Sequence, residues 1–579
     1  MRRLAPALAL ALLLAAPGRA AADPAPLSPD LAAALKTKGP TDTVAVIVTM
    51  ADTADVAALH AAAIQTRGPG WKKPLRGKVV AALKERADRS LPSVEDAARR
   101  RGASQLVRLW AINGLAMTVP ASAVADLAVL PGVAGVRLDG TLKAPPVTYA
   151  LAPADGWNLE TIHASAVWNL GHKGAGVVVG LMDTGADLFH PDLKDRWRGG
   201  DNSWFDAYGR HATPRDLNGH GTHVAGLAVG GSASGSPVGM APEAKWIAAR
   251  IFDDSGTATY SAIHQAFQWL LDPDGNQATA DAPDVVNGSW GLDAPGLCLT
   301  EFQADVMLLK AAEITPVFAA GNKGSNPDTS VSPANYPGML AVAAADADGT
   351  VAGFSSRGPS ACGGGLFPAL AAPGVQVRAP DLSYGGTIVS YAYVDGTSFA
   401  APHVAGALAL LVGAFPDVPV SQLEQALAVS TLDLAAPGDD GDSGRGLVDA
   451  LAAFRLAETI PPDRDGDGYA DALDCRPGDP ASHPGAIEIK HDGIDQDCNG
   501  YDLTIDILTA SYIAKRDRLA VEATSRLGSM AKLQVVGYGP MTWNAKQKKW
   551  TLSLSGAGGR PAQVTVTGIE GSETATPTS

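Results

Sequence analysis

Between about residues 157 and 457, five near-continuous apolar runs alternate with alanine-rich stretches of helical composition: "GVVVGLMD", "AKWIAARIF", "APDVVNGSWG", "ITPVFAAGN" and "MLAVAAAD". A strand that is apolar at every position is covered on both faces. Several of them separated by helices make a parallel sheet with helices on each side. The fold class expected is therefore α/β. In such sheets the working residues lie beyond the carboxyl ends of the strands, so motifs at those ends carry most weight.

Four of these motifs stand at sharp junctions. The run "GVVVGLMD" ends in Asp183, which is either a turn residue or a functional carboxylate. His220 follows in "NGHGTHVAG", where glycines let the backbone come close before a helix begins. His223 lies one turn on, but the glutamate of the zinc-helix signature is missing, so no metal is expected there. Ser398 opens the apolar helix of "GTSFAAPHVAG", a position where serine is most often only a cap. Asn322 ends "VFAAGN" on a glycine turn. These types belong together chemically. A serine hydroxyl needs a base with a pKa near neutrality, which is histidine. The imidazole needs a carboxylate to hold its tautomer. A tetrahedral oxyanion needs a donor, which the Asn322 amide supplies.

With those residues in view, "GLMDTGADLFHPDL", "NGHGTHVAG", "VVNGSWG", "FAAGNKG" and "GTSFAAPHVAG" resemble, in order, the motifs of the subtilisin-like serine peptidases, and "ANYPG", "FSSRGPS" and "LAAPGVQVRAP" resemble the bacillopeptidase F-like group most. The resemblance implies a subtilisin-like sheet over 151–458, with Asp183 as orienting carboxylate, His220 as general base, Ser398 as nucleophile and Asn322 as oxyanion donor. It leaves His223 and His403 as structural residues of two helices packed through small side chains. It implies that Ser289 and Gly291 pair with an extended peptide, that Gly321 forms a pocket wall, and that Trp290 shapes a subsite or sits in the core. No cofactor is required for the chemistry.

The amino end, "MRRLAPALALALLLAAPGRAAAD", has the three-part layout of a secretory signal over 1–22. Export to the extracellular space, the bacterial cell surface or the periplasm is expected. Residues 23–150 read as a small alternating unit, with "TVAVIVTM" as a strand, a charged helix, and "NGLAMTVP" starting at an Asn-Gly turn. This unit resembles the family's propeptide inhibitor domain, a small α+β fold that would occupy the cleft until cut. Self-cleavage is expected between about Gly140 and Gly156. The competing reading is a permanent accessory domain.

After 458 the composition changes. Residues 461–502 are dense in Asp, Gly and Pro. Asp463, Asp465, Asp467, Tyr469, Asp471 and Asp474 match the oxygen-ligand spacing of a calcium loop, with Asp in place of the final Glu. A solvated acidic linker is the alternative. Cys475 and Cys498 bracket this module and are expected to pair, leaving Cys298 and Cys362 for a second bridge. Four cysteines nevertheless allow three pairings, and two free thiols remain an alternative. Residues 503–570 alternate as short strands of a small β-sandwich, and 571–579 read as a disordered tail.

A net charge of -15 argues against nucleic acid as a partner, and no membrane insertion is expected after the signal. The expected partners are protein or peptide substrates and the chain's own propeptide. The competing function is an extracellular adhesion or scaffold protein with an inactive peptidase fold.

Overall fold

The computed structural model of the chain describes residues 25–578 apart from 66, 68, 153–155, 435–437, 460–468, 470–472 and 558. The signal expected over 1–22 lies outside them.

Seven parallel strands form the principal sheet, in the order Leu370–Pro373, Leu340–Ala345, Thr315–Ala319, Val285–Gly288, Val178–Asp183, Lys245–Arg250 and Trp204–Asp206. Strands 285–288, 315–319, 340–345 and 370–373 are buried at every residue, which is why they read as unbroken apolar runs. Val178–Asp183 lies between strands 245–250 and 285–288, so the chain reverses its direction of travel across the sheet around it. That reversal opens a crevice at the carboxyl end of this strand, where Asp183 sits.

Two helices converge on the crevice, His220–Val229 and Thr397–Ala414. Every residue of the first and nearly every residue of the second is buried, as in helices enclosed by other elements. Thr397–Ala414 is long and apolar enough to cross a membrane, yet it is buried in the principal core. Leu408 and Leu411, each essentially inaccessible, contribute about 2 kcal/mol apiece by leaving water. The helices approach closely because Gly406 has no side chain: a Cβ there would lie 2.8 Å from the Ala228 carbonyl and 2.4 Å from the Met240 Cβ.

The chain divides into two compact units. The first, running up to Ala54 and resuming at Ala82–Gly140, holds a four-stranded antiparallel sheet in the order Ser104–Leu109, Gly114–Pro120, Thr43–Met50, Val133–Leu138. Leu91, Val94, Leu115, Met117 and Val136 fill its core. Asn113, at φ 48°, takes the turn ahead of Gly114. The charged helical run stops at Arg100, and Gly102 at φ 84° redirects the chain into strand 104–109, so "SQLVRL" is strand rather than helix.

The expected continuous amino-terminal domain over 23–150 is corrected by Asp55–Ala81, which belongs to the second unit. These residues fold as helix Val56–Gln65 and the first turns of helix Lys72–Arg100. Buried charge holds them. Arg76 donates to the carbonyls of Ala312 at 3.1 Å and Glu313 at 3.0 Å and to Asp284 Oδ1 at 3.1 Å. Glu313, itself buried, accepts from Val420 N at 2.8 Å and meets His60 Nε2 at 2.7 Å.

Residues 503–578 form two four-stranded antiparallel sheets enclosing Leu519, Val521, Val535, Trp550, Val564 and Val566. The stretch expected as a disordered tail is corrected here, because Gly571–Ala575 is a strand paired with Val564–Gly568. A turn through Gly571, at φ 111°, closes the hairpin, and Thr565 and Thr574 bond across it at 2.8 Å. Isolated polar residues carry no such signal until a partner strand supplies the ladder.

Candidate active site

Asp183 ends its strand 2% exposed, and its Oδ1 accepts the Thr184 backbone N–H at 2.7 Å. The same oxygen lies 2.8 Å from His220 Nδ1. Both side chains are withdrawn from water. A carboxylate on Nδ1 fixes the proton there and leaves Nε2 as the basic nitrogen. His220 Nε2 is buried and has no hydrogen-bond partner in the structure.

The start of the His220 helix is organised by a residue that sequence reading passed over. Asp216 accepts from the backbone N–H groups of Asn218 (2.9 Å), Gly219 (3.0 Å) and Thr222 (2.9 Å) and from the hydroxyls of Thr184 (3.0 Å) and Thr222 (2.7 Å). Thr184 Oγ1 in turn accepts from Gly221 N at 2.9 Å. Asp183's own strand end is thereby tied to the helix that carries His220. An aspartate shortly before an apolar helix is a capping signal, so this residue was findable.

Ser398 is the second residue of its helix and 5% exposed. Its hydroxyl donates to the Ser289 carbonyl at 3.3 Å, while Ser289 Oγ donates to the Ser398 carbonyl at 2.7 Å. The adjacent Phe399 ring lies 5.4 Å from the His220 ring and 5.9 Å from that of His223, so the two helices pack together where they begin. Asn322 Oδ1 accepts from Thr397 N at 3.0 Å and Thr397 Oγ1 at 2.8 Å. With the carbonyl end occupied, the NH2 end is assigned to the opposite side, 3.6 Å from where a Gly396 Cβ would be.

The two remaining histidines of the helices are structural in their contacts. His403 is fully buried, donating from Nδ1 to Phe399 O and accepting from Asn158 Nδ2, each at 2.8 Å, and burial pushes its pKa down to about 4. His223 lies 3.3 Å from Asp381.

Gly321, at φ 101°, donates its N–H to Thr397 Oγ1 at 3.1 Å, and a Cβ there would stand 2.8 Å from Val331. Gly291 also faces Val331, with 3.0 Å to a notional Cβ. Of the two readings held for Trp290, the structure places it in the core rather than in a subsite. It is 2% exposed and packs edge-on against Phe267, Phe302 and Phe318. A cleft beside Asp183 and His220 is lined by Thr184, Leu217, Asn218, Arg250 and Asp253–Gly256.

Cys298–Cys362 and Cys475–Cys498 are disulfides. Of the proposed metal ligands, Asp463, Asp465, Asp467 and Asp471 lie outside the described residues. Tyr469 stacks on His483 with centroids 4.8 Å apart, and Asp474 lies buried beside the Cys475–Cys498 bridge. A second oxygen cluster went unnoticed in the sequence. Glu488, Asp495 and Asp497 bring carboxylate oxygens within 4.8 Å of one another. Burial, with the neighbouring Glu488 and Asp495 charges, pushes the Asp497 carboxyl up to about 6.

Residues 174–446 match the family model described as "Subtilase family", and residues 474–502 match the one described as "Putative metal-binding motif". Bacillopeptidase F of Bacillus subtilis (strain 168) is 34% identical over 416 residues, covering 65% of this chain but only 28% of that protein. Subtilisin DY of Bacillus licheniformis is 34% identical over 301 residues, which is 51% of this chain and 97% of the relative. The crystal structure of fervidolysin from Fervidobacterium pennivorans superposes with a TM-score of 0.53 at 23% identity, covering 72% of this chain and 62% of that one, and so supports the fold. With nearly the whole of a subtilisin matched and a subtilisin-like sheet in place, the chain belongs to the subtilase family.

Proposed function

We propose that this protein is a secreted serine endopeptidase, made as a zymogen that removes its own amino-terminal segment. The observation that carries the reading is the buried Asp183–His220 pair at 2.8 Å, set beside the helix start that bears Ser398. His220 Nε2 takes the Ser398 proton as Oγ attacks the substrate carbonyl, and Asp183 stabilises the imidazolium that forms. The NH2 of Asn322 receives the developing oxyanion. His220 then protonates the leaving nitrogen, and water hydrolyses the ester by the same route in reverse. Substrate enters as an extended peptide added to a strand edge, with Ser289, Gly291 and Gly321 as wall.

The acidic module is proposed to hold Ca2+. Its donors are carboxylate oxygens suited to a hard ion, and the disulfide leaves no thiolate for a soft one. Glu488, Asp495 and Asp497 are proposed as one set of ligands, and the spacing 463–474 as another. Two disulfides support an oxidising, extracellular location.

The test is a fluorophosphonate probe applied to the secreted protein and to Ser398→Ala, with casein turnover followed in parallel. Labelling and turnover that both vanish in the variant support the reading. Absence of labelling in folded, processed protein overturns it in favour of an adhesion scaffold.

A further inference from the structure

Helix Thr397–Ala414 contains a proline, Pro402, four residues after Ser398. In an α-helix the carbonyl of residue i receives the N–H of residue i+4. Proline has no N–H, and its ring presses on the carbonyl four residues back. The carbonyl of the proposed nucleophile therefore lacks the backbone donor that its place in the helix would give it. A side chain takes up that role. Ser289 Oγ donates to the Ser398 carbonyl at 2.7 Å, across 109 positions of sequence. Ser289 follows strand Val285–Gly288 and is fully buried, so solvent does not compete for the contact. Its hydroxyl has one proton, and giving it to Ser398 leaves only lone pairs for other neighbours. Asn287, also fully buried, meets that need by donating from Nδ2 to Ser289 Oγ at 2.9 Å. The bonds run in one direction, from the Asn287 amide through the Ser289 hydroxyl to the Ser398 carbonyl, and each polarises the next.

Ser289 meets Ser398 at a second point, since the Ser398 hydroxyl donates to the Ser289 carbonyl at 3.3 Å. The two contacts differ in role. The one at Ser398 Oγ must be released when the hydroxyl turns to its base, whereas the one at the Ser398 carbonyl fixes the backbone from which Cβ and Oγ project. Resting on the peptidase reading above, we infer that the Ser289 hydroxyl is a positioning group for the nucleophile, standing in for the donor that Pro402 withholds. Asn287 holds that hydroxyl in place, and both side chains act through Ser398. Ser398 is only the second residue of its helix, where few intrahelical bonds bear on the backbone. Losing one contact there lets the Cα–Cβ direction swing, and a slightly misplaced nucleophile loses rate rather than affinity. The hydroxyl would be idle if position 402 could donate.

The full-length wild-type chain, Ser289→Ala, Pro402→Ala and the double variant are compared for fluorophosphonate labelling rate, for kcat and KM on a small peptide, and for melting temperature. Ser289→Ala is expected to lower kcat and the labelling rate about ten-fold, with KM nearly unchanged. In the Pro402→Ala background position 402 has an N–H for the Ser398 carbonyl, so the further Ser289→Ala change costs about two-fold or less. Asn287→Ala leaves the Ser289 hydroxyl but frees it to turn, and is expected to lower kcat about three-fold. That reading stands whether or not the Pro402→Ala chains fold. Equal losses from Ser289→Ala in both backgrounds overturn the inference, as does a lower melting temperature with unchanged kcat in Ser289→Ala and Asn287→Ala. A processed wild-type chain that takes no label overturns the peptidase reading instead.

Discussion

Thr397 gives both its backbone N–H and its hydroxyl to a single acceptor, Asn322 Oδ1, at 3.0 and 2.8 Å. The residue just ahead of the proposed nucleophile thus sets the orientation of the proposed oxyanion donor. Thr397→Val removes one of the two anchors and is expected to lower kcat about ten-fold with KM nearly unchanged. Asn322→Ala is expected to cost more, in the range of about 10²–10³ known for subtilisin. Steady-state kinetics on a small peptide separate the two, and a change confined to KM contradicts the assignment.

Asp216 holds five donors at the start of the His220 helix while 7% exposed. Asp216→Ala strands those donors and is expected to destabilise the peptidase region by about 3 kcal/mol. Activity of the remaining folded protein falls as well, because His220 loses its fixed entry into the helix. Thermal melting with kcat measured below the transition checks both parts.

Two buried histidines set opposite pH limits. Burial disfavours the charged form of His264, but Asp305 and then Glu301, at 2.9 and 3.0 Å, outweigh it and hold the pKa at about 9. Its folded value is raised, so its stabilisation is complete below about 6.5 and is lost as pH rises through 9. His403 is the reverse: held near 4 by burial, it loses stability as pH falls from about 6.5 towards 4, where only the unfolded chain takes up the proton. Denaturant midpoints across pH should peak near neutrality. In His264→Gln the alkaline decline from this group, on the order of 3 kcal/mol, should disappear.

Residues 474–502 contain no helix or strand among those described, so their order rests on the Cys475–Cys498 bridge and on what their carboxylates hold. Closing a loop of separation 23 contributes about 3 kcal/mol by the chain-entropy account. EDTA is expected to expose this module to added protease while hydrolysis of a small peptide by the mature enzyme continues. Glu488→Gln/Asp497→Asn should remove the protection by calcium. Equal cleavage with and without calcium in the wild type contradicts the assignment.

Arg76 is buried against Asp284 and the carbonyls of Ala312 and Glu313. Arg76→Ala leaves those acceptors unpaired, at a cost of about 3–5 kcal/mol. Hydrogen exchange over Val56–Ala81 should quicken by about a hundred-fold or more. Unchanged exchange means that apolar packing, not the ion cluster, holds these helices.

The comparison between sequence and structure turns on how far apart the deciding partners lie. Unbroken apolar strands announce a sheet covered on both faces, and Asp183, His220, Ser398 and Asn322 stand out because each sits where strand or helix meets a glycine turn. Those are local properties. Trp290 stayed undecided because a tryptophan beside a motif reads alike whether it faces substrate or, as here, Phe302 and Phe318. The strand Gly571–Ala575 was invisible because its polar residues gain order only from Val564–Gly568.

By itself, then, the sequence determined the class of sheet and the strand ends and helix starts at which Asp183, His220, Ser398 and Asn322 stand, since period and turn chemistry act over a few residues. Tertiary structure alone decided which oxygen of Asp183 meets Nδ1 of His220, that Thr141–Lys143 lies along Thr257–Thr259, and that Arg76 reaches Glu313. Such pairings join residues tens to hundreds of positions apart. Packing and the need to satisfy every buried polar group select them only when the whole chain has closed.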